Sequence, residues 1–310
     1  MQVRSDTARA LALLARQKRV WPMLRRGCEA LEAMRIRTLS VGASEWKVQC
    51  NPARRVSSLA GSETSRACFL CSHRLPLEQE SLSLGDYLLL CNPYPIFPEH
   101  FTLASRRHRP QRIGECFGDF LHAARSLEGL TLFYNGPQSG ASAPDHLHFQ
   151  AVTGGYMPLE EEVGRPAELL YETDCGSLCL MRSPLRNAFI LRAQTLAGAC
   201  GLFARLYAVL QERASGDAEP RMNLFGRYGI SGGWEVVAVP RKAHRPRQFY
   251  ARGAEQMLVS PGAADMGGVL VTTRLEDFEK VTPALLCDLY AQLAYVEGET
   301  DNWFSASGDR

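Results

Sequence analysis

The chain has 310 residues, a formal charge of +2, 45% apolar and 22% charged residues. That composition belongs to a soluble globular protein, long enough for one large domain or two ordinary ones. So small a net charge implies neither a nucleic-acid nor a membrane partner, and the arginines sit in short clusters (Arg54, Arg55, Arg106, Arg107, Arg109, Arg241, Arg245, Arg247) suited to small anions. No apolar run approaches the length of a membrane helix and residues 1–6 carry no signal-peptide core, so the expected compartment is the cytoplasm.

In chain order, residues 6 to 35 place apolar side chains (Ala8, Leu11, Leu14, Trp21, Leu24, Cys28, Leu31) at helical spacing, with a break at Pro22. From Trp46 to Ala60 the chain turns extended and polar; Gln49, Asn51, Arg54, Arg55 and Ser57 look functional as a run, although each alone reads as a solvated loop residue. After Cys68-Phe69-Leu70-Cys71, strand-like runs at Tyr87–Asn92, Phe101–Ser105 and Leu130–Tyr134 alternate with turns. The prolines of residues 92–98 make that segment a rigid connection, and residues 114–127 are helical.

The stretch from Asn135 to Val152 concentrates the chemistry. As a strand, Asp145 to Val152 would set His146, His148 and Gln150 on one face and Leu147, Phe149 and Ala151 on the other. A Gly- and Ser-rich loop, residues 136–142, runs into it, and its small residues let backbone N–H groups approach an anion. Beyond a loop at 154–166 a second cycle follows: strand at Ala188–Leu191, helix at 193–211, strands at 222–225, 234–239 and 268–272, and a helix at 281–294. Phe101–Pro110 faintly echoes Val237–Pro246, each a strand entering a basic turn that ends His-Arg-Pro. The second copy has no His-x-His-x-Gln counterpart, so chemistry is expected in the first half.

The order Cys68-x-x-Cys71, Asn92-Pro93-Tyr94-Pro95 with Pro98-x-His100, a basic turn ending at His108, Asn135 with the Gly-rich loop, then His146-x-His148-x-Gln150 resembles the transferase branch of the histidine-triad superfamily. That branch includes galactose-1-phosphate uridylyltransferase, diadenosine tetraphosphate phosphorylase and GDP-hexose phosphorylases. Gln49–Arg54 and Asp145–Gln150 most resemble a less characterised bacterial group related to them. The detailed match spans residues 46–155.

The resemblance implies an α+β, HIT-like fold: two tandem HIT-like halves, each an antiparallel sheet with crossing helices, behind an N-terminal helical segment. The expected boundaries are 1–60 for the helical segment and extended arm, 61–165 for the catalytic half and 166–310 for a degenerate half. It also implies that His148 attacks the α-phosphorus of a nucleotide and forms a nucleotidyl-histidine, with His146 and Gln150 beside it. Asn135, Gly136, Gly140 and Ser142 would hold the phosphate. A Gln at 150 marks transfer to phosphate or a sugar phosphate rather than hydrolysis, and Arg54, Arg55, Arg106 and Arg107 are candidates for that acceptor.

Cys68 and Cys71 are spaced to reach one structural zinc ion, which needs four ligands. The resemblance supplies His108 and His146, with His100 a rival third ligand and His73 a local one. His122 and His244 read as ordinary helix and turn residues, though His244 could line a cleft if the halves pack as a pseudo-dimer. The expected function is nucleotidyl transfer from a nucleoside-diphosphate sugar or dinucleoside polyphosphate, by a monomeric pseudo-dimer or a homodimer. A hydrolase using the same pocket, or a non-catalytic nucleotide-binding zinc module, are the alternatives; donor base and acceptor stay open.

Overall fold

Two helices open the chain, α1 (Asp6–Val20) and α2 (Pro22–Glu32). Ser5 accepts the Ala8 N–H to cap α1, and Pro22 starts α2, where its missing N–H has no bond to lose. The structure, a computed structural model, describes residues 5–54, 68–214, 216, 219–230 and 232–304. Arg55 and Ser57 therefore lie outside the described residues.

The polar run after Trp46 is not a solvated loop. β1 (Arg35–Val41) and β2 (Ser44–Cys50) form an antiparallel hairpin, and β13 (Val269–Thr272) adds to β2 in parallel. Gln49 and Asn51 are buried there; Gln49 donates to the Ile96 carbonyl, bracing the proline-rich connection. Their polarity hid the strand, because the Gln49 side chain and the Asn51 N–H find their partners in distant segments, at Ile96 and Thr272.

The remaining strands are β3 (Ser81–Leu84), β4 (Tyr87–Cys91), β5 (His100–Ser105), β6 (Leu130–Asn135), β7 (His148–Thr153), β8 (Glu168–Thr173), β9 (Gly176–Met181), β10 (Ala188–Ala193), β11 (Met222–Ile230) and β12 (Gly233–Pro240). They make one sheet in the order β3-β4-β5-β7-β6-β11-β12-β10-β9-β8. Counted inward from either edge, each set of five follows the same sequence order. The sets join antiparallel at β6 and β11, from Asn223 opposite Asn135 to Gly226 opposite Leu132. Helices α3 (Phe117–Ser126) and α4 (Leu196–Glu212) occupy corresponding places between the third and fourth strands of each set. By this order β5 corresponds to β10 and β7 to β12. The echo between residues 101–110 and 237–246 thus joins strands that do not correspond, and it reflects shared turn chemistry.

Both faces of the sheet are covered. Phe101, Leu103, Phe149, Ala151, Leu224 and Val236 pack under α1, α3 and α4 in one core. Phe133, Val152, Ile190, Phe225 and Val237 face Trp46, Val48 and α5 (Pro283–Leu293) in the other. Among the described residues no helix is long and apolar enough to cross a membrane.

Trp46 ties the hairpin into the second core. The Arg186 guanidinium lies 4.7 Å from its ring and Tyr290 meets it edge-on at 4.3 Å. Arg186 is fully buried and pairs with buried Glu162 at 2.8 Å. Removing one partner of such a pair strands the other charge, so Arg186→Ala should lower the unfolding free energy by about 3–5 kcal/mol in urea titration.

Candidate active site

β7 begins at His148, not at Asp145, because residues 144–147 turn before entering the sheet. The expected alternation survives in part. Leu147, Phe149 and Ala151 enter the apolar core, while His148 and Gln150 face the opposite side. His146 departs from them. Its Nε2 donates to the Ser105 carbonyl at 2.7 Å, so its unprotonated Nδ1 faces Cys68 Sγ at 3.2 Å.

The His148 ring is held the other way round. Its Nδ1 donates to the His146 carbonyl at 2.8 Å, which leaves the lone pair on Nε2. That Nε2 is buried with no hydrogen-bond partner among the described residues, and the His148 side chain lines a cavity of about 370 Å³. Burial pushes the ring down to about 4, so the imidazole is neutral at neutral pH.

Gln111, which the sequence did not single out, fixes the backbone of this residue. β6 and β7 pair only as far as Phe133 opposite Gln150. In the gap beyond, the wholly buried Gln111 side chain accepts the His148 N–H at 2.7 Å and donates to the His148 and Asn135 carbonyls at 3.0 and 2.9 Å. One amide replaces the missing ladder at the histidine.

His100 is away from the cysteines. Its Nδ1 accepts the Ile96 N–H, so Nε2 carries the proton and donates to Gln150 Oε1 at 2.7 Å. With its oxygen taken, Gln150 presents its NH₂ group to the cavity. Burial, then Arg54, push His100 down to about 3, which keeps the ring neutral.

Two cavities meet at Asn92, Ser142 and Gln150. The larger, with His148, is walled by Trp21, Met23, Leu70, Leu75, Leu90 and Tyr94. The smaller, of about 100 Å³, holds Arg54, Asn135, Gly140, His244 and Arg245. The loop residues do not all serve as expected. Gly136 lines neither cavity, and its N–H is taken by the Met222 carbonyl. Asn135 Oδ1 accepts from Asn223 Nδ2 and from the Ala263 N–H, joining the two halves. Gly140 is required by its φ of +96° and by space, since a Cβ there would lie 2.5 Å from Gly262 Cα. Arg106 is bound to Gly85 and Ser83 away from the cavities, and Arg107 lines neither. His244, read as an ordinary turn residue, does line the cleft.

The second half has a filled position where the first has its histidine. Ala104 faces His148 next to the end of β5, and Arg192 faces Glu235 next to the end of β10. Glu235 is clamped by Arg192 at 2.9 Å and Arg227 at 2.6 Å.

Cys68, Cys71, His108 and His146 bring their ligand atoms within 4.8 Å of one another and could hold a metal ion. Tetrahedral zinc with ordinary bond lengths sets its ligand atoms roughly 3.4–3.8 Å apart. Here Cys71 Sγ lies 3.3 Å from His108 Nδ1 and 3.7 Å from His146 Nδ1. Each imidazole turns its other nitrogen to an oxygen, His108 to Asp145 Oδ2 and His146 to Ser105, the usual outer support for a metal-bound ring. Neither His100 nor His73 belongs to the group.

Metal analysis of the purified protein should find close to one zinc per chain, and Cys71→Ser or His108→Ala should lose it with a fall in melting temperature. A second expectation concerns acid. His100 has a folded value near 3 against an ordinary 6.5, so unfolding takes up a proton between these values. Stability contributed by the neutral ring is complete above pH 6.5 and declines as the pH falls toward 3. Denaturant titrations of His100→Gln across this range should show a pH dependence shallower by about one proton.

Comparison with known proteins agrees with the architecture. The model of a family described as "Domain of unknown function (DUF4922)" matches residues 13–153. No curated protein matches the chain. The crystal structure of yeast Ap4A phosphorylase Apa2 is similar with a TM-score of 0.59 and 16% identity, over 89% of this chain and 98% of that one. Structures of the same yeast protein with AMP (TM-score 0.54, 18% identity) and with Ap4A (TM-score 0.55, 15% identity) each cover 89% of this chain and 97% of that one. At these identities the likeness concerns the fold, which is the α+β, HIT-like arrangement expected from the sequence.

Proposed function

We propose that the protein is a nucleotidyltransferase that carries a nucleoside monophosphate on His148 between a nucleotide donor and a phosphate-bearing acceptor. The observation that carries this reading is the buried, unpartnered Nε2 lone pair at a cavity of ligand size. The fold shared with a yeast protein whose structures hold AMP and Ap4A supports a nucleotide as donor.

In the first half-reaction Nε2 attacks the α-phosphorus. A P–N bond forms, the bond to the bridging oxygen breaks, and the electron pair departs on an anionic phosphate that needs no proton. The ring keeps its Nδ1–H on the His146 carbonyl and becomes cationic in the adduct, where that carbonyl stabilises it. The Gln150 NH₂ group and Ser142 are placed to hydrogen-bond the non-bridging oxygens. The apolar wall of Trp21, Leu70, Leu75 and Leu90 suits the nucleoside. Zinc on Cys68, Cys71, His108 and His146 would supply no chemistry to the phosphate; it would pin the segment whose carbonyl holds His148.

Gln150 favours transfer over hydrolysis. Water must shed a proton as it attacks, and a carboxamide cannot take one. A phosphate oxygen arrives already ionised.

Incubation with UDP- and GDP-hexoses and with Ap4A, each labelled at the α-phosphorus, should leave an acid-labile adduct of one nucleotide on the protein. His148→Ala should take no label, and Gln150→Leu should slow labelling by about 10²–10³-fold. If no donor labels the wild type, or His148→Ala still labels, this reading fails. Turnover independent of added phosphate or sugar phosphate would instead indicate the hydrolase.

A further inference from the structure

We infer that the smaller cavity is the acceptor site, and that the second half of the chain supplies it, with Arg245 and His244 from that half and Arg54 from the N-terminal segment gripping a phosphate dianion. This deepens, and rests on, the assignment of His148 as nucleotide carrier. Arg245, His244, Ser260, Gly262 and Asp265, which line this cavity, all lie beyond residues 13–153.

Arg54 is the strongest observation. The Asn51 N–H is held by the Thr272 carbonyl and the Arg54 N–H by that of Asn51, so the turn after β2 delivers this side chain into the cavity. Its Nε and Nη1 are buried without a hydrogen-bond partner among the described residues. Asp265 of the same lining attracts its charge, but the two unbonded nitrogens still have room for an anion, which would supply the hydrogen bonds that they lack. The guanidinium stays cationic at neutral pH, burial bringing it down only to about 10.

Across the cavity, Arg245 is aimed by two fixed contacts: Nε donates to Ser260 Oγ at 2.8 Å, and the guanidinium carbon sits 4.3 Å over the Phe249 ring. His244 is neutral, pushed down to about 4 by burial and then by Arg245, Arg241 and Arg221, and it adds hydrogen-bonding capacity without charge. Arg241 is spent on structure, donating to Asn223, Pro261, Leu293 and the carbonyls of Ala243 and His244. Asp265 is the acidic side chain of the lining; its oxygens accept the Gly262 and Val271 N–H groups. It can also accept from an acceptor hydroxyl.

The cavity meets the nucleophile's cavity at Asn92, Ser142 and Gln150, where the α-phosphorus would sit. An acceptor oxygen attacks that phosphorus, a P–O bond forms, and the P–Nε2 bond breaks with its pair returning to Nε2. No proton moves, since His148 leaves as the neutral ring it was and the acceptor is already an anion. The same cavity receives the departing phosphate of the first step and the entering phosphate of the second, so the two compete for it. Free phosphate and the phosphate of a hexose 1-phosphate share this chemistry.

The test separates loading from discharge. Protein labelled from Ap4A or a nucleoside-diphosphate hexose is desalted, and only loss of label is followed against inorganic phosphate in one arm and glucose 1-phosphate in the other. Wild type should discharge with saturation in at least one arm, and the arm that saturates at lower concentration identifies the source. Arg245→Ala should raise the half-saturating concentration at least about tenfold, and Arg245→Lys should restore part of it. Discharge that does not saturate in wild type, or an unchanged half-saturation in both Arg245→Ala and Arg54→Ala, overturns the inference. A binding measurement needs no transfer: inorganic phosphate should raise the melting temperature of wild type more than that of Arg54→Ala/Arg245→Ala. Phosphate binding lost in the double variant of a protein that takes no label would keep the anion site and reject the carrier role. Equal shifts in the two proteins would reject the site.

Discussion

One hydrogen bond decides what the central histidine can do. The His146 carbonyl accepts the Nδ1 proton of His148, which fixes the tautomer and leaves the other nitrogen with a free lone pair. Everything around it serves that bond. The His146 ring is turned toward the cysteine group, the Gln111 amide grips the His148 backbone on both sides, and the core under Phe149 holds the strand from behind. A neutral imidazole in a buried position is an unstrained arrangement; a neutral imidazole with one nitrogen unsatisfied is maintained only because the surroundings leave it no alternative.

The same logic recurs at the neighbouring amide. His100 is a ring that never reaches the cavity, yet it determines which end of Gln150 does. Burial keeps it neutral, and a neutral ring with one nitrogen occupied by the Ile96 N–H can only donate from the other. Two histidines in one protein thus have opposite tautomers for opposite ends, one to expose a lone pair and one to aim a donor.

Local periodicity made much of this legible. The two-residue repeat of residues 147–151 predicts which side chains enter the core, and the helical spacing around Pro22 predicts the two opening helices. The gap between Cys68 and Cys71 is itself a ligand spacing. What escaped was long-range. Gln111 sits in a loop with no pattern, and its importance lies in two strands that part company beside it. β2 has mixed polar residues because its partners include β13 and the proline-rich connection, and the arginines of β1 reach residues 278–281. β8 and β9 lie between the loop at 154–166 and the strand at Ala188, in a stretch whose pattern suggested no element. His244 and Arg245 look like surface turn residues until the two halves are brought together.

The seam between β6 and β11 has a topological consequence. Because the sheet continues through it, and because Gly140 and Gly262 meet backbone to backbone over it, neither half ends where the other begins. Cutting the chain after β7 would bare β6, whose side chains are buried throughout, as an open edge inviting intermolecular strand addition. His148 and the cationic cleft thus share one continuous sheet, and a chain without the second half would need some other strand to cover the bared edge.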